Sequence, residues 1–349
     1  MPYKLPPDVV CKEVRVPLAE VLDWSLQFLG IPPLWKENAG WINNPASGVN
    51  RPVRIAVLDT GCDLSHPDLR DAISGARDFT GSRYGPVDRS GHGTHVAGLI
   101  GARANDVGVR GVAWRCQLLI GKVLGDDGGG TDDSIRAGVR WAIDSGADFI
   151  SNSYGGGGSS AFIEGMLREY SKVGTDGISG DGRGFFFAAS GNDGRRVNWP
   201  GSSPNSISVG AADKDGDLTD FSSRGENLDI IGPGTEMIST IPGGRYGRMT
   251  GSSMSCPLVC GIGAIAYGKH RSIGGDTPLD DLAEMRQHLQ ATGKDTASGY
   301  KLIWPAGLMA DSKSEVPDPP ARPWYRRFGV DPLHVHEGKV GPFFYWSDK

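Results

Sequence analysis

The chain has 349 residues, a net charge of −5 at neutral pH and 38% hydrophobic residues. That composition supplies one large core without cross-links, and the scattered basic residues argue against a nucleic-acid binder or an anionic membrane surface. There is no run of about 18 apolar residues, Met1-Pro2-Tyr3-Lys4-Leu5-Pro6-Pro7 holds no apolar signal core, and Cys11, Cys62, Cys116, Cys256 and Cys260 follow no framework spacing. The expected setting is cytoplasmic, or secreted if a leader was removed ahead of this numbering.

In chain order, the β-branched apolar run 53–58 predicts a buried strand that delivers Asp59-Thr60-Gly61 at its carboxyl end. His92 opens a small-residue helix to about residue 102. A strand at 117–123 leads into Asp126-Asp127-Gly128-Gly129-Gly130 and then a helix at 132–145. A strand at 149–152 ends in Ser153-Tyr154-Gly155, a helix follows at 161–173, and the Phe-rich strand 185–189 runs into Ser190-Gly191-Asn192-Asp193-Gly194. Strands at 206–209 and 228–231 precede a helix at 253–267 that Ser253 opens. Strands alternating with helices predict an α/β fold, a mainly parallel sheet with helices on both faces. No internal repeat is present. Composition shifts divide the chain into an extension (1–23), one domain (24–311) and a Pro-rich, aromatic tail (312–349) whose Trp324, Tyr325, Phe328, Phe343, Phe344, Tyr345 and Trp346 either fold back or dock a partner or a second copy.

Asp59, His92 and Ser253 together have the makings of nucleophilic catalysis. A serine hydroxyl needs a neighbouring imidazole to take its proton, and the imidazole needs a carboxylate to fix its tautomer. Asn192, at the turn after a buried strand, can supply an oxyanion donor. The segments Asp59-Thr60-Gly61, His92-Gly93-Thr94-His95 and Gly251-Ser252-Ser253-Met254-Ser255-Cys256-Pro257, in that order, resemble those of the subtilisin-like serine proteases. The resemblance runs from about Trp24 to Lys269 and includes Lys122-Val123-Leu124-Gly125, Asn152-Ser153-Tyr154-Gly155-Gly156 and Ser239-Thr240-Ile241-Pro242-Gly243. Asp59-Thr60-Gly61-Cys62-Asp63 and Leu118-Leu119-Ile120-Gly121-Lys122-Val123-Leu124 look most like the intracellular subtilisins of bacteria.

The resemblance implies a subtilisin-like fold and a serine endopeptidase in which Asp59 orients, His92 is the base, Ser253 attacks and Asn192 holds the oxyanion, with His95 a packing residue. A protease dedicated to one partner protein and a catalytically silent binding module remain as alternatives. It further implies that an extended peptide lies between Gly128-Gly129-Gly130 and Ser153-Tyr154-Gly155, with Asp193 at the rim of the primary pocket and Asn198 at its base. Acidic residues there leave a basic preference open beside a broad apolar one, and Arg195 and Arg196 stand close enough to offset Asp193. Structural calcium is implied at Asp68 and Asn105 by side chain and at Arg103, Val107 and Val109 by carbonyl, against a metal-free surface hairpin. The run Asp213-Lys214-Asp215-Gly216-Asp217 has its glycine too early for a calcium loop and reads as a solvated turn.

Three positions depart from the family pattern: Ser255 for an alanine, Cys256 for a smaller residue and Leu258 for a histidine. Cys256 and Cys260 share a helix face, where packing outweighs a metal pair, and Cys62 reads as a buried thiol rather than a redox handle. Met1-Pro2-Tyr3 resembles the start of the short extension that intracellular subtilisins lay across their active site, so the residues before about Trp24 are expected to restrain the enzyme.

Overall fold

The run Arg54–Asp59 (β1) is buried from its second residue onward, because helices cover both faces of the sheet it belongs to. The computed structural model describes residues 3–5, 11–16, 19–156, 158–171, 184–274, 279 and 281–310; the aromatic tail lies outside them. The other strands of the sheet are β2 (Ile73–Asp78), β3 (Gln117–Lys122), β4 (Phe149–Asn152), β5 (Phe185–Ala189), β6 (Ile207–Ala212), β7 (Ile230–Pro233), β8 (Lys294–Asp295) and β9 (Lys301–Leu302). Their spatial order is β8-β9-β7-β6-β5-β4-β1-β3-β2. Every neighbouring pair is parallel except β8 with β9 at one edge. The α/β class expected from the alternation is therefore the one observed.

Alternate residues of the strands feed two cores. Ile55, Val57, Phe149, Phe185 and Phe187 pack beneath α1 (His92–Gly101) and α4 (Ser252–Ile273). Ala56, Leu58, Ile150, Phe186 and Ala188 face α2 (Asp132–Asp144) and α3 (Ala161–Tyr170). The α4 helix is apolar almost all round because it runs through the middle of the larger core. Its Tyr267 ring stands edge-on to Phe149 and Phe185, with centroids 5.5 and 5.6 Å apart.

Strand β1 sits between β4 and β3, so the chain changes direction of travel across the sheet at β1. Open parallel sheets leave a crevice at the carboxyl ends of their strands at such a switch point. Asp59 is the last residue of β1, level with Lys122 at the end of β3 and one step beyond Asn152 at the end of β4.

Boundaries differ from the expected ones where local pattern and packing part company. The Ser253 helix continues to Ile273, past Tyr267; His270 in its last turn lies 3.2 Å from the Leu308 carbonyl, and Gly274 caps the end. Strand β6 continues to Ala212, past the expected end at residue 209, through the small residues Gly210, Ala211 and Ala212. A Cβ on Gly210 would sit 3.1 Å from Ser222 Oγ and 3.2 Å from the Ile231 side chain, so the small residue fits the strand closely. The edge strand β2 was not anticipated, since Ile-Ser-Gly-Ala-Arg-Asp is half-exposed and lacks an apolar run. The helix after Ala161 is described to Tyr170; its expected final residues, 172 and 173, fall outside the described part.

Candidate active site

His92 is the first residue of α1, and its Nδ1 lies 2.8 Å from Asp59 Oδ1 with both side chains almost wholly buried. Asp59 Oδ1 also accepts the Thr60 N–H at 2.7 Å, which fixes the carboxylate against the imidazole. His92 Nε2 and Asp59 Oδ2 are buried with no hydrogen-bond partner. An imidazole whose Nδ1 faces a carboxylate carries its proton there and exposes a basic Nε2.

Ser253 stands in the first turn of α4, where free N–H groups point outward. Its Oγ donates to the Ser153 carbonyl at 3.1 Å. Pro257 has no N–H to offer the Ser253 carbonyl four residues earlier, and the Ser153 hydroxyl takes that acceptor at 2.9 Å. The proline thus ties the turn bearing Ser253 to the end of β4. Asn192 is held through its oxygen, which accepts the Ser252 N–H at 2.9 Å and the Ser252 hydroxyl at 2.8 Å. With Oδ1 so engaged, Nδ2 is the end left to donate. Gly251 permits this approach, since a Cβ there would lie 2.9 Å from Asn192 Nδ2.

Two residues were missed as site residues. The buried Asp88 carboxylate accepts from the Thr60 hydroxyl (2.9 Å), the Ser90, Gly91 and Thr94 N–H groups (2.9, 2.9 and 2.8 Å) and the Thr94 hydroxyl (2.6 Å). It clamps the Asp59 turn to the start of α1, and an acidic residue a few positions before a helix is a capping signal that could have revealed it. Lys122, fully buried, donates to the Thr60 carbonyl at 2.6 Å and pairs with Asp126 at 3.0 Å. Burial raises the Asp126 carboxyl, but the Lys122 ammonium and Ser82 hydroxyl outweigh it and hold the group below the usual carboxylate range.

The departures from pattern have physical uses. Ser255 Oγ lies 2.8 Å from both the Gly210 and Gly232 carbonyls, a polar link between α4 and two strands. Burial pushes the Cys256 thiol up to about 12 and the Cys62 and Cys260 thiols well above the ordinary range, which disfavours the thiolates that metal binding or oxidation needs. His95 sits between the Met237 and Gly247 carbonyls (3.0 and 3.1 Å), and burial lowers it to about 3, so it stays neutral.

The two glycine-rich segments flank a groove that the chain's own start occupies. Tyr3–Lys4 pairs antiparallel with Gly129–Gly130. The Lys4 N–H bonds the Gly155 carbonyl at 3.1 Å, the Gly155 N–H returns to Lys4 at 3.3 Å, and the Leu5 N–H reaches the Gly128 carbonyl at 3.2 Å. Further along, Lys12–Val14 pairs with the strand Arg245–Met249, and the Val21 N–H bonds the Gly108 carbonyl. Asn198 lies against Gly155 and Gly191, its Cβ and Nδ2 being 3.3 and 2.4 Å from where their Cβ atoms would stand. Asp193 accepts the Ser223 hydroxyl at 2.8 Å and the Arg195 N–H at 2.9 Å, so its carboxylate is committed to the turn.

Asp68 is fully buried; its oxygens accept Asn105 Nδ2 at 3.2 Å and the Val109 N–H at 2.9 Å, and its carbonyl accepts the Arg103 N–H at 2.8 Å. No cation pairs with it among the described residues, nor do they contain a cluster of three or more His, Cys, Asp or Glu suited to a metal. The Asp213 run is a turn closed on its own Asp215 and Asp217 N–H groups.

Residues 50–313 match the model of the subtilase family of S8 peptidases, and the chain belongs to that family. It is 37% identical over 263 residues to subtilisin E of Bacillus subtilis, a match covering 74% of this chain and 64% of that protein. It is 37% identical over the same length to a subtilisin of Bacillus pumilus, covering 74% of this chain and 88% of the relative. To the intracellular serine protease of Paenibacillus polymyxa it is 36% identical over 251 residues, covering 69% and 71%. The matched region thus spans less than two thirds of subtilisin E.

Proposed function

We propose that the chain is a serine endopeptidase that hydrolyses peptide bonds through an acyl-enzyme. The observation that carries this is the buried Asp59–His92 pair, 2.8 Å apart, at the sheet's switch point. In this reading Ser253 turns from the Ser153 carbonyl to His92 Nε2, which takes its proton as Oγ attacks the substrate carbonyl. Asn192 Nδ2 and the Ser253 N–H hold the oxyanion, and His92 then protonates the leaving amine. Water repeats the sequence on the ester. Asp59 stabilises the imidazolium throughout. A broad substrate range follows from main-chain recognition in the groove. Turnover of an unstructured protein, blocked by a serine-directed phosphonate, is the test; absence of both would leave a silent binding module.

The segment Tyr3–Leu5 acts in this reading as a tethered competitor. Effective concentrations for short linkers reach about the mM range, so even weak binding fills the groove. Leu5 is followed by Pro6 and Pro7, which lie outside the described residues; a proline nitrogen has no N–H for pairing, which disfavours a productive register. Removing residues 1–5 while keeping Lys12–Val14 and Val21 in place is expected to raise the rate on a small peptide by about tenfold. An unchanged rate with a folded protein would show that the segment is no inhibitor.

Calcium fits the Asp68 loop by the chemistry of its donors. A buried carboxylate with only neutral partners is the kind of charge a hard cation compensates, and Asn105 with the carbonyls of Arg103, Val107 and Val109 would complete an oxygen set. Its contribution would be structural, holding a loop that Val21 also engages. Chelation is expected to lower the unfolding temperature, by the equivalent of about 2.7 kcal/mol if the ion was at a hundredfold its dissociation constant, and Asp68→Ala should remove most of the difference. Identical melting after trapped metal is stripped would count against the site.

A cytoplasmic setting is supported by the free thiols of all five cysteines and by the intracellular relative. No helix among the described residues is long and apolar enough to cross a membrane.

A further inference from the structure

The amino-terminal segment makes a second contact far from the groove. Lys12–Val14 lies as a third strand beside Arg245–Met249, with Val14 level with Tyr246, Glu13 with Gly247 and Lys12 with Arg248. The other side of Arg245–Met249 is already paired with Met237–Ile241, so residues 12–14 cover the one open edge of that strand. A strand edge without such cover is a row of unpaired N–H and C=O groups, which takes an extended chain whatever its sequence.

The side chains along this edge add a charge preference. Glu13 pairs with Arg245, its Oε2 lying 2.7 Å from Nη1, and Arg245 Nε is held by the Pro242 carbonyl at 3.0 Å. Both side chains line a cavity of about 190 Å³ bordered also by Cys11, Arg89, Ser90 and Pro242. Arg89 and Arg245 make the domain's wall of this cavity cationic. Asp88 borders it too, but its carboxylate is spent on Thr60, Ser90, Gly91 and Thr94. Lys12 lies 3.5 Å from Glu236, but Arg248 reaches the same carboxylate at 3.9 Å, so a basic residue at that position gains little. The charge this edge reads is therefore negative, at the position of Glu13.

Register relates that position to the reacting serine. Lys4 is level with Gly155, and the carbonyl of Ser153, two residues earlier, accepts from Ser253 Oγ. Antiparallel pairing brings residue 6 to the level of Ser153, so Glu13 comes about seven residues after the one at the reacting carbonyl. One chain thus spans groove and edge, and a substrate laid in the groove in the same sense reaches Arg245 with the same number of residues.

Resting on the protease reading above, we propose that the edge of Arg245–Met249 is an exosite: it takes the downstream part of a protein substrate as an added antiparallel strand and, through Arg245, favours an acidic side chain about seven residues after the one whose carbonyl is attacked. The segment Lys12–Val14 holds the place of that substrate strand.

The test uses the full chain and blocked peptides sharing one groove sequence. One peptide ends about three residues after the cleaved bond, and the others run about ten residues past it with Glu, Gln or Lys at the seventh, a length that the register above requires. The tethered segment competes alike with the long peptides, so ratios of kcat/KM among them are unaffected by it. The long Glu peptide is expected to exceed the short one by about tenfold, and to exceed its Lys counterpart by about fivefold, the upper end for one exposed ion pair, with Gln between. Arg245→Gln should bring Glu and Lys level and Arg245→Glu should put Lys ahead, while Arg140→Glu, exposed on α2, leaves the order as it was. Equal rates on the long Glu peptide and the short one, equal rates on the Glu and Lys peptides, or an order unchanged in both Arg245 variants would overturn the proposal. If no peptide is cleaved, the protease reading fails. Fluorescence anisotropy of the labelled long peptides on the protein then decides the exosite, tighter binding of Glu than of Lys upholding it and no difference overturning it.

Discussion

Replacing Ser253 with alanine is expected to cut peptide turnover by about a million-fold, the magnitude found for the nucleophile of subtilisin, and to abolish labelling by fluorophosphonates. Folding should be nearly untouched. The Ser253 hydroxyl makes one hydrogen bond, to the Ser153 carbonyl, and losing it costs about 1 kcal/mol at most. The bond that pins the turn, from the Ser153 hydroxyl to the Ser253 carbonyl, survives the substitution. Activity in the variant equal to that of the parent, measured on protein freed of contaminating protease, would overturn the assignment of the nucleophile.

How far the site could be read in advance depended on whether a role is carried by local sequence or by distant packing. Asp59, His92, Asn192 and Ser253 each mark the end of a strand or the start of a helix, and such boundaries are announced by glycines and by a change of hydrophobic period. Asp88 and Lys122 are not announced in this way. Asp88 works because Thr60, 28 residues away, offers it a hydroxyl, and Lys122 because β3 lies beside β1 and brings its ammonium under the Thr60 carbonyl. Pairing of strands far apart in sequence creates both roles. Tyr3 lies between the two cases: Met1-Pro2-Tyr3 marks it in sequence, but its seat against Tyr154 and Trp199 comes from residues about 150 and 200 positions away.

The fold divides along a similar line. The strands legible in sequence, β1, β3, β4, β5, β6 and β7, are the interior ones, buried along most of their length and hence rich in apolar and small residues. At the edges β2 and β8 need bury little, and β9 beside β8 is only two residues long, so none of the three gives a period to read. The antiparallel pair Met237–Ile241 and Arg245–Met249 was quoted only as a motif. Its first strand is continuously buried and its second alternates, a mixture set by α1 on one side and the Lys12–Val14 strand on the other.

Asn192 supplies the sharpest test of how the site would lower the barrier. Changing it to alanine removes two things at once, the Nδ2 donor and the Oδ1 acceptor that holds the Ser252 N–H and hydroxyl at the start of α4. A loss of rate in that variant could therefore come from the oxyanion or from a loosened helix start. Asn192→Asp separates them, because it keeps an oxygen for Ser252 and replaces the donor with a second, negatively charged acceptor. If Asn192 holds the oxyanion, the aspartate variant should lose at least as much kcat as the alanine variant, about a hundredfold to a thousandfold, with KM nearly unchanged. That corresponds to about 2.7 to 4 kcal/mol, a magnitude taken from the oxyanion asparagine of subtilisin. If the side chain serves only to brace Ser252, the aspartate variant should instead retain most of its rate and its unfolding temperature. Steady-state kinetics on one peptide, with thermal unfolding of all three proteins, distinguishes the two: high kcat in Asn192→Asp would sink the oxyanion role.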